Sequence, residues 1–242
     1  MVSVVCHGHG VAVAALLDDL ARWCAASVAR VVLTLNLPGE PAPAGPQGWP
    51  FALEVRRNQV SLGFGANHNR ALAGAPEPFV CVLNPDVRLR GDALAALLAL
   101  AAQPGVGCAY PLQVDAAGRV QDSERALPTP AALLRRRVLG RGEARVDWVN
   151  AACLVLPTAV WRELGGFDEG YFMYCEDVDL SLRLRLAGWR LLRAPVRVEH
   201  AGTRASHRQL RHLAWHVRSL LRLWRSPVYA RARSLLPLGA AN

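Results

Sequence analysis

With 242 residues, of which 52% are hydrophobic, the chain is long enough for one sizeable core. Its formal net charge of +9 favours anionic company, such as nucleic acid, an anionic membrane surface or a phosphorylated substrate. All 28 basic residues are arginine, which excludes a Schiff-base lysine and a lysine-bearing phosphate loop.

Short β-branched runs at 2–6 (VSVVC), 30–36 (RVVLTLN), 52–57 (ALEVRR) and 79–84 (FVCVLN) predict strands. Helical patterns occupy 11–25, 65–75 and 91–102, and a Pro/Gly-rich surface loop is expected at 37–50. This rhythm predicts an α/β fold with a mostly parallel sheet flanked by helices, and ligands beyond the carboxyl ends of the strands. Further strands are expected at 106–114, 146–157 and, in short pieces, around 189–199. A basic, Gly-interrupted loop carrying Arg135, Arg136, Arg137, Arg141 and Arg145 separates the first two. A helix over 177–187 stops at Gly188, and a long one runs from about 204 to 225. The expected organisation is one domain over 1–203 with a basic amphipathic helix and tail, 204–242, packed on it.

The six cysteines show no CxxC spacing and read as reduced core residues. The start, MVSVVCHGHG, lacks the basic region and apolar run of a secretory signal. The longest uncharged stretch, 93–114, is broken by Gln103, Pro104, Gly105 and Gly107, so it splits into a helix and a strand. A cytoplasmic protein is expected, with contact at the inner membrane face as an option. The 204–225 stripe either covers the core or, through its Arg and Trp border, meets an anionic bilayer. No nucleic-acid-binding motif appears, so nucleic acid is not an expected partner.

Four features carry chemistry. LNPDV (83–87) ends an apolar strand, and Asp86 there is either part of an ordinary turn or a ligand for Mg²⁺ or Mn²⁺. The loop opening into 65–75 carries Gly63 and Gly65, which would let backbone amides approach a phosphate. Glu176, Asp177 and Asp179 open the 177–187 helix, where acids complement the macrodipole. Asp177 and Asp179 lie about 200° apart on the helical wheel, so one can face a substrate while the other caps or pairs with an arginine. His200 follows a strand and is either structural or a further metal ligand.

The motifs NQVSLGFGANHNRAL, LNPDV, VDWVNAACLVLPTAVWRELGGFDEGYFMYCEDVDLSLRLRLAGWR and EHAGTRAS, in this order, resemble the family 2 glycosyltransferases of the GT-A fold, particularly bacterial rhamnosyltransferase-like members. The resemblance covers about residues 2–206. It implies a Rossmann-like mixed sheet, and an inverting transfer from a nucleotide diphosphate sugar to a saccharide or lipid-linked acceptor in envelope polysaccharide synthesis.

It also places Asp86 as a metal carboxylate, with Asn84 where the family carries a second acid, and His200 in the metal shell. Asp177 becomes the catalytic base with Glu176 beside it. Asn58, Gly63, Asn67 and Arg70 fall in the donor-nucleotide region, and Gly166, Phe167 and Asp168 in the wall near sugar and acceptor. The second strand ends at Asn36, with Glu40 further on, where family members carry a base-reading acid; the first ends in CHGHG. These departures point to altered base recognition. They also support the alternative, a non-catalytic nucleotide-sugar-binding member of the same fold.

Overall fold

The computed structural model describes residues 1–43, 48–130, 132, 146–201 and 210–235. Val2–Cys6 is apolar except at Ser3, the pattern of a strand covered on both faces. It forms β1 (Val2–Cys6), paired in parallel with β2 (Arg30–Leu35) and β4 (Phe79–Leu83). Beyond β2 lies β3 (Ala52–Arg57), also parallel. On the other side, β4 pairs antiparallel with β9 (Cys153–Pro157), which pairs antiparallel with β6 (Val106–Val114). Next, β6 runs parallel to β10 (Arg190–His200), which carries the short antiparallel β5 (Val87–Arg88) at the edge.

The resulting order is β3-β2-β1-β4-β9-β6-β10-β5. Following the pairings, β1, β2, β3, β4, β6 and β10 all point the same way. Their carboxyl ends therefore share one edge of the sheet, where a ligand site is expected. A separate two-stranded ribbon joins β7 (Glu124–Arg125) to β8 (Trp148–Val149).

Successive residues of a strand face opposite sides, and the core divides accordingly. Cys81 and Leu83 enter one layer with Leu16, Leu17, Leu20 and Leu97, from α1 (Gly10–Trp23) and α3 (Ala93–Ala101). Val80 and Val82 enter the other with Leu72, Trp161 and Leu184, from α2 (Phe64–Leu72), α4 (Thr158–Glu163) and α5 (Glu176–Leu186). A third cluster joins Tyr171, Val178 and Leu182 to Leu223 and Tyr229. These last two come from α6 (Leu210–Arg225) and α7 (Pro227–Leu235), which thereby pack on α5.

Several expected elements differ. The run 146–157 is not one strand: Asn150–Ala152 turns between β8 and β9, because the two belong to different sheets. The short strands near 189–199 are one eleven-residue strand, whose register shifts between Arg193 and Arg197. Helix α7 follows α6 after Ser226 and was not expected. The basic loop at 135–145, residues 204–209 of the terminal helix and the boundary at 203/204 lie outside the described residues. All six cysteines are free and buried.

Candidate active site

Strand pairing brings Asp86 to His200. After β4, the Asn84 N–H donates to the Ala152 carbonyl (2.8 Å) and the Val87 N–H to the Asn84 carbonyl (3.3 Å), so LNPDV does make a turn. That turn delivers Val87 into register opposite His200, the last residue of β10. His200 Nε2 then lies 3.4 Å from Asp86 Oδ1. The ring is buried, and its Nδ1 has no hydrogen-bond partner among the described residues. Turn and candidate ligand are thus the same structure.

The acids at the start of α5 separate as the helical wheel requires. Asp179 is 2% exposed and accepts a hydrogen bond from Arg183 Nε at 2.7 Å. Arg183 also donates to the Leu164 and Gly166 carbonyls, so this pair fastens the helix. Asp177 instead faces an open cavity and accepts the Val178 N–H at 2.8 Å. Burial pushes its carboxyl up to about 6, against the pull of backbone N–H groups and the Arg125 charge. Glu176 is buried, its Oε2 has no hydrogen-bond partner among the described residues, and burial together with the Asp177 charge raises it well above the usual range. Desolvation therefore outweighs the helix-start effect, which alone would lower both.

Immediately before them, Tyr174 and Cys175 both adopt positive φ, 72° and 67°. Two consecutive left-handed non-glycine residues cost about 1–3 kcal/mol each. Tyr174 is held there by its hydroxyl, 2.9 Å from His212 Nδ1 of α6, and Ser219 donates to the Met173 carbonyl at 2.8 Å.

At the ends of β2 and β3 an amide network fixes the loop into α2. Asn58 donates to Asn36 Oδ1 (2.8 Å) and Asn67 Oδ1 (2.7 Å), while Asn36 Oδ1 also accepts the Leu62 N–H. Glu40 Oε1 accepts from the Gly8 N–H and the Cys6 thiol, both at 2.8 Å, so the acid beyond β2 returns to the end of β1. Gly63 is required by close approach: a Cβ there would sit 2.6 Å from the Phe172 carbonyl oxygen. Arg70 is exposed at the end of α2.

Gly166, Phe167 and Asp168 do not line the Asp177 cavity. Phe167 is buried against Phe64 and Trp161. Asn69 holds its backbone at both ends, accepting from the N–H (2.9 Å) and donating to the carbonyl (2.8 Å). Asp168 pairs with Arg222 of α6 at 2.8 Å. Gly166 has φ +70°, and a Cβ there would sit 2.3 Å from Asn69 Oδ1. Gly166→Ala is expected to cost about 2–4 kcal/mol, read as a lower urea midpoint with unchanged slope.

The sequence model of the family described as "Glycosyltransferase like family 2" matches residues 50–224. The chain belongs to that family. It is 32% identical over 219 residues to the N-acetylglucosaminyl-diphospho-decaprenol L-rhamnosyltransferase of Mycobacterium tuberculosis, an alignment covering 74% of this chain and 71% of that one. It is 30% identical over 184 residues to rhamnosyltransferase WbbL of Escherichia coli, covering 66% of this chain and 69% of that one. Among solved structures, GalNAc-T7 with UDP, GalNAc and Mn²⁺ superposes with a TM-score of 0.62 at 16% identity. That match covers 82% of this chain but only 42% of the larger one, and it supports the GT-A fold.

This family 2 glycosyltransferase gathers Asn84, Asp86, Glu176, Asp177 and His200 around one cavity of about 820 Å³. Sequence reasoning missed other lining residues: Arg119, Gln121 and Arg125 near β7, Trp148 of β8, and Tyr174. It also missed His216 and Leu220, which make α6 a wall of the cavity. A second groove, of about 1000 Å³, lies along α6 beside Gly63 and Phe172 and holds none of these five residues.

Among the described residues, no cluster of three His, Cys, Asp or Glu groups suits a metal ion. The Asp86–His200 pair fits one as two ligands, since a hard cation completes its shell with phosphate oxygens and water.

Proposed function

We propose that the chain is an inverting glycosyltransferase that moves a sugar of the rhamnose type from a nucleotide diphosphate sugar to a hydroxyl of a saccharide or lipid-linked acceptor in envelope polysaccharide assembly. The observation that carries this is the single cavity holding the Asp86–His200 pair and the Glu176–Asp177 pair together. The names of the relatives support the sugar and the lipid-linked acceptor class.

Asp177 is the base. It takes the acceptor hydroxyl's proton as that oxygen bonds to the anomeric carbon and the bond to the diphosphate breaks, which inverts the anomeric centre. A carboxyl raised to about 6 remains ionised at neutral pH yet is a better proton acceptor than an ordinary aspartate. Glu176, raised by burial and by the Asp177 charge, holds its proton longer than Asp177 and, while protonated, offers a hydrogen-bond donor beside it. Asp86 and His200 would hold Mg²⁺ or Mn²⁺, which when bound neutralises charge on the leaving diphosphate. The Asn36–Asn58–Asn67 network shapes the loop of the donor-nucleotide region.

The test is a thermal-shift screen of nucleotide diphosphate sugars with and without Mn²⁺. A donor at about 100 times its Kd should raise Tm by about 5–10 °C, and Asp86→Ala should remove the Mn²⁺-dependent part. No shift with any donor would overturn the reading. A shift with no transfer to any acceptor favours the non-catalytic alternative, which the replaced acid at the end of β2 supports.

A further inference from the structure

Helix α6 carries three kinds of surface. Leu223 and Ser219 are buried, and Trp224 Nε1 donates to the Pro128 carbonyl at 2.7 Å, so the helix is fastened to the body. His216 and Leu220 line the cavity that holds Asp177. The third surface meets solvent: Leu213, Val217 and Leu221 are 50%, 49% and 39% exposed. Spaced four apart, they form one line along the helix, and the exposed Phe172 borders the same groove. Arg211, Arg218 and Arg225, seven apart and exposed, form a second line about 100° round the axis. Neither α6 nor α7 contains an Asp or Glu, and α7 adds exposed Arg231, Arg233 and Leu235.

Large apolar side chains in a row, held in water beside arginines that no acid of either helix opposes, match one environment closely. In an anionic bilayer surface the leucines enter the acyl boundary while the guanidinium groups stay at the phosphates. Among the described residues no helix is long and apolar enough to cross a membrane.

We propose that the Leu213–Val217–Leu221 face of α6 docks on an anionic lipid bilayer, setting the mouth of the Asp177 cavity against the headgroups. This rests on the sugar-transfer reading, which explains the arrangement: the acceptor's linkage to its lipid lies in that plane. One helix then orients the enzyme and walls its cavity.

Flotation of the full chain with vesicles of phosphatidylcholine, with and without phosphatidylglycerol, tests the docking. The wild type should float with the anionic vesicles, and raised salt should release it. Leu213→Ser/Val217→Ser/Leu221→Ser should abolish flotation; these side chains are exposed, so the fold should survive, as an unchanged Tm would show. Arg211→Ser/Arg218→Ser/Arg225→Ser should weaken binding about five-fold per arginine removed. Flotation that ignores the apolar variant, or its absence in the wild type, overturns the proposal, as does a second copy found on this face by sedimentation. The Mn²⁺-dependent donor shift reads the sugar site separately. Lost flotation with that shift intact sinks the docking alone.

Discussion

Asp177→Asn should lower sugar transfer by about 10³-fold while leaving donor binding within a few-fold of wild type. The amide keeps the size and the hydrogen bond to the Val178 N–H, but it cannot take a proton. The neighbouring acids make the natural comparison. Asp179 faces away from the cavity and into its pair with Arg183, so Asp179→Asn should lower stability rather than separate kcat from donor affinity. Measuring transfer and donor-induced thermal shift on both variants distinguishes base from anchor. Substantial turnover by Asp177→Asn would remove that residue from the chemistry.

Glu176→Gln should behave very differently from Asp177→Asn. Both carboxyls are raised by burial, and the Asp177 charge raises Glu176 further, so Glu176 is the last to ionise. In the wild type, transfer should fall as pH drops through about 6, where Asp177 gains its proton. It should fall again at the higher pH where Glu176, the last to ionise, loses its own. Gln keeps the neutral, hydrogen-bond-donating form at every pH. The variant should therefore keep the limb set by Asp177 and lose the upper one set by Glu176. Stability follows the same sign: a folded-state pKa above the unfolded value stabilises at low pH, and that stability is lost as pH rises through the folded pKa. Glu176→Gln should accordingly raise Tm at pH 8 and change it little at pH 4. Loss of transfer at all pH values would mean that Glu176 works ionised.

The parallel βα frame was legible because β1, β2 and β4 are short runs with β-branched residues, alternating with Ala/Leu-rich helical segments. The split of the α5 acids was legible too, since the 3.6-residue turn alone forces Asp177 and Asp179 apart. What escaped has physical reasons. Strands of two residues, such as β5 and β7, carry no periodic signal, yet β5 is what sets Asp86 against His200. Asn69 reads as one more polar helix residue until folding brings Phe167, 98 positions later, onto its amide. The positive φ of Tyr174 and Cys175 is imposed by tertiary contacts with α6, against the preference of either residue. Burial, which raises the Asp177 carboxyl against the pull of the helix start, is a property of the assembled cavity.

The stereochemistry of the product is the most direct test of single displacement with Asp177 as base. Once a donor is identified, the coupling at the anomeric proton of the transferred sugar should be followed by NMR from donor to product. The account predicts the opposite anomer in the product. A retained anomer would contradict it, because direct attack by a deprotonated acceptor hydroxyl cannot preserve that centre.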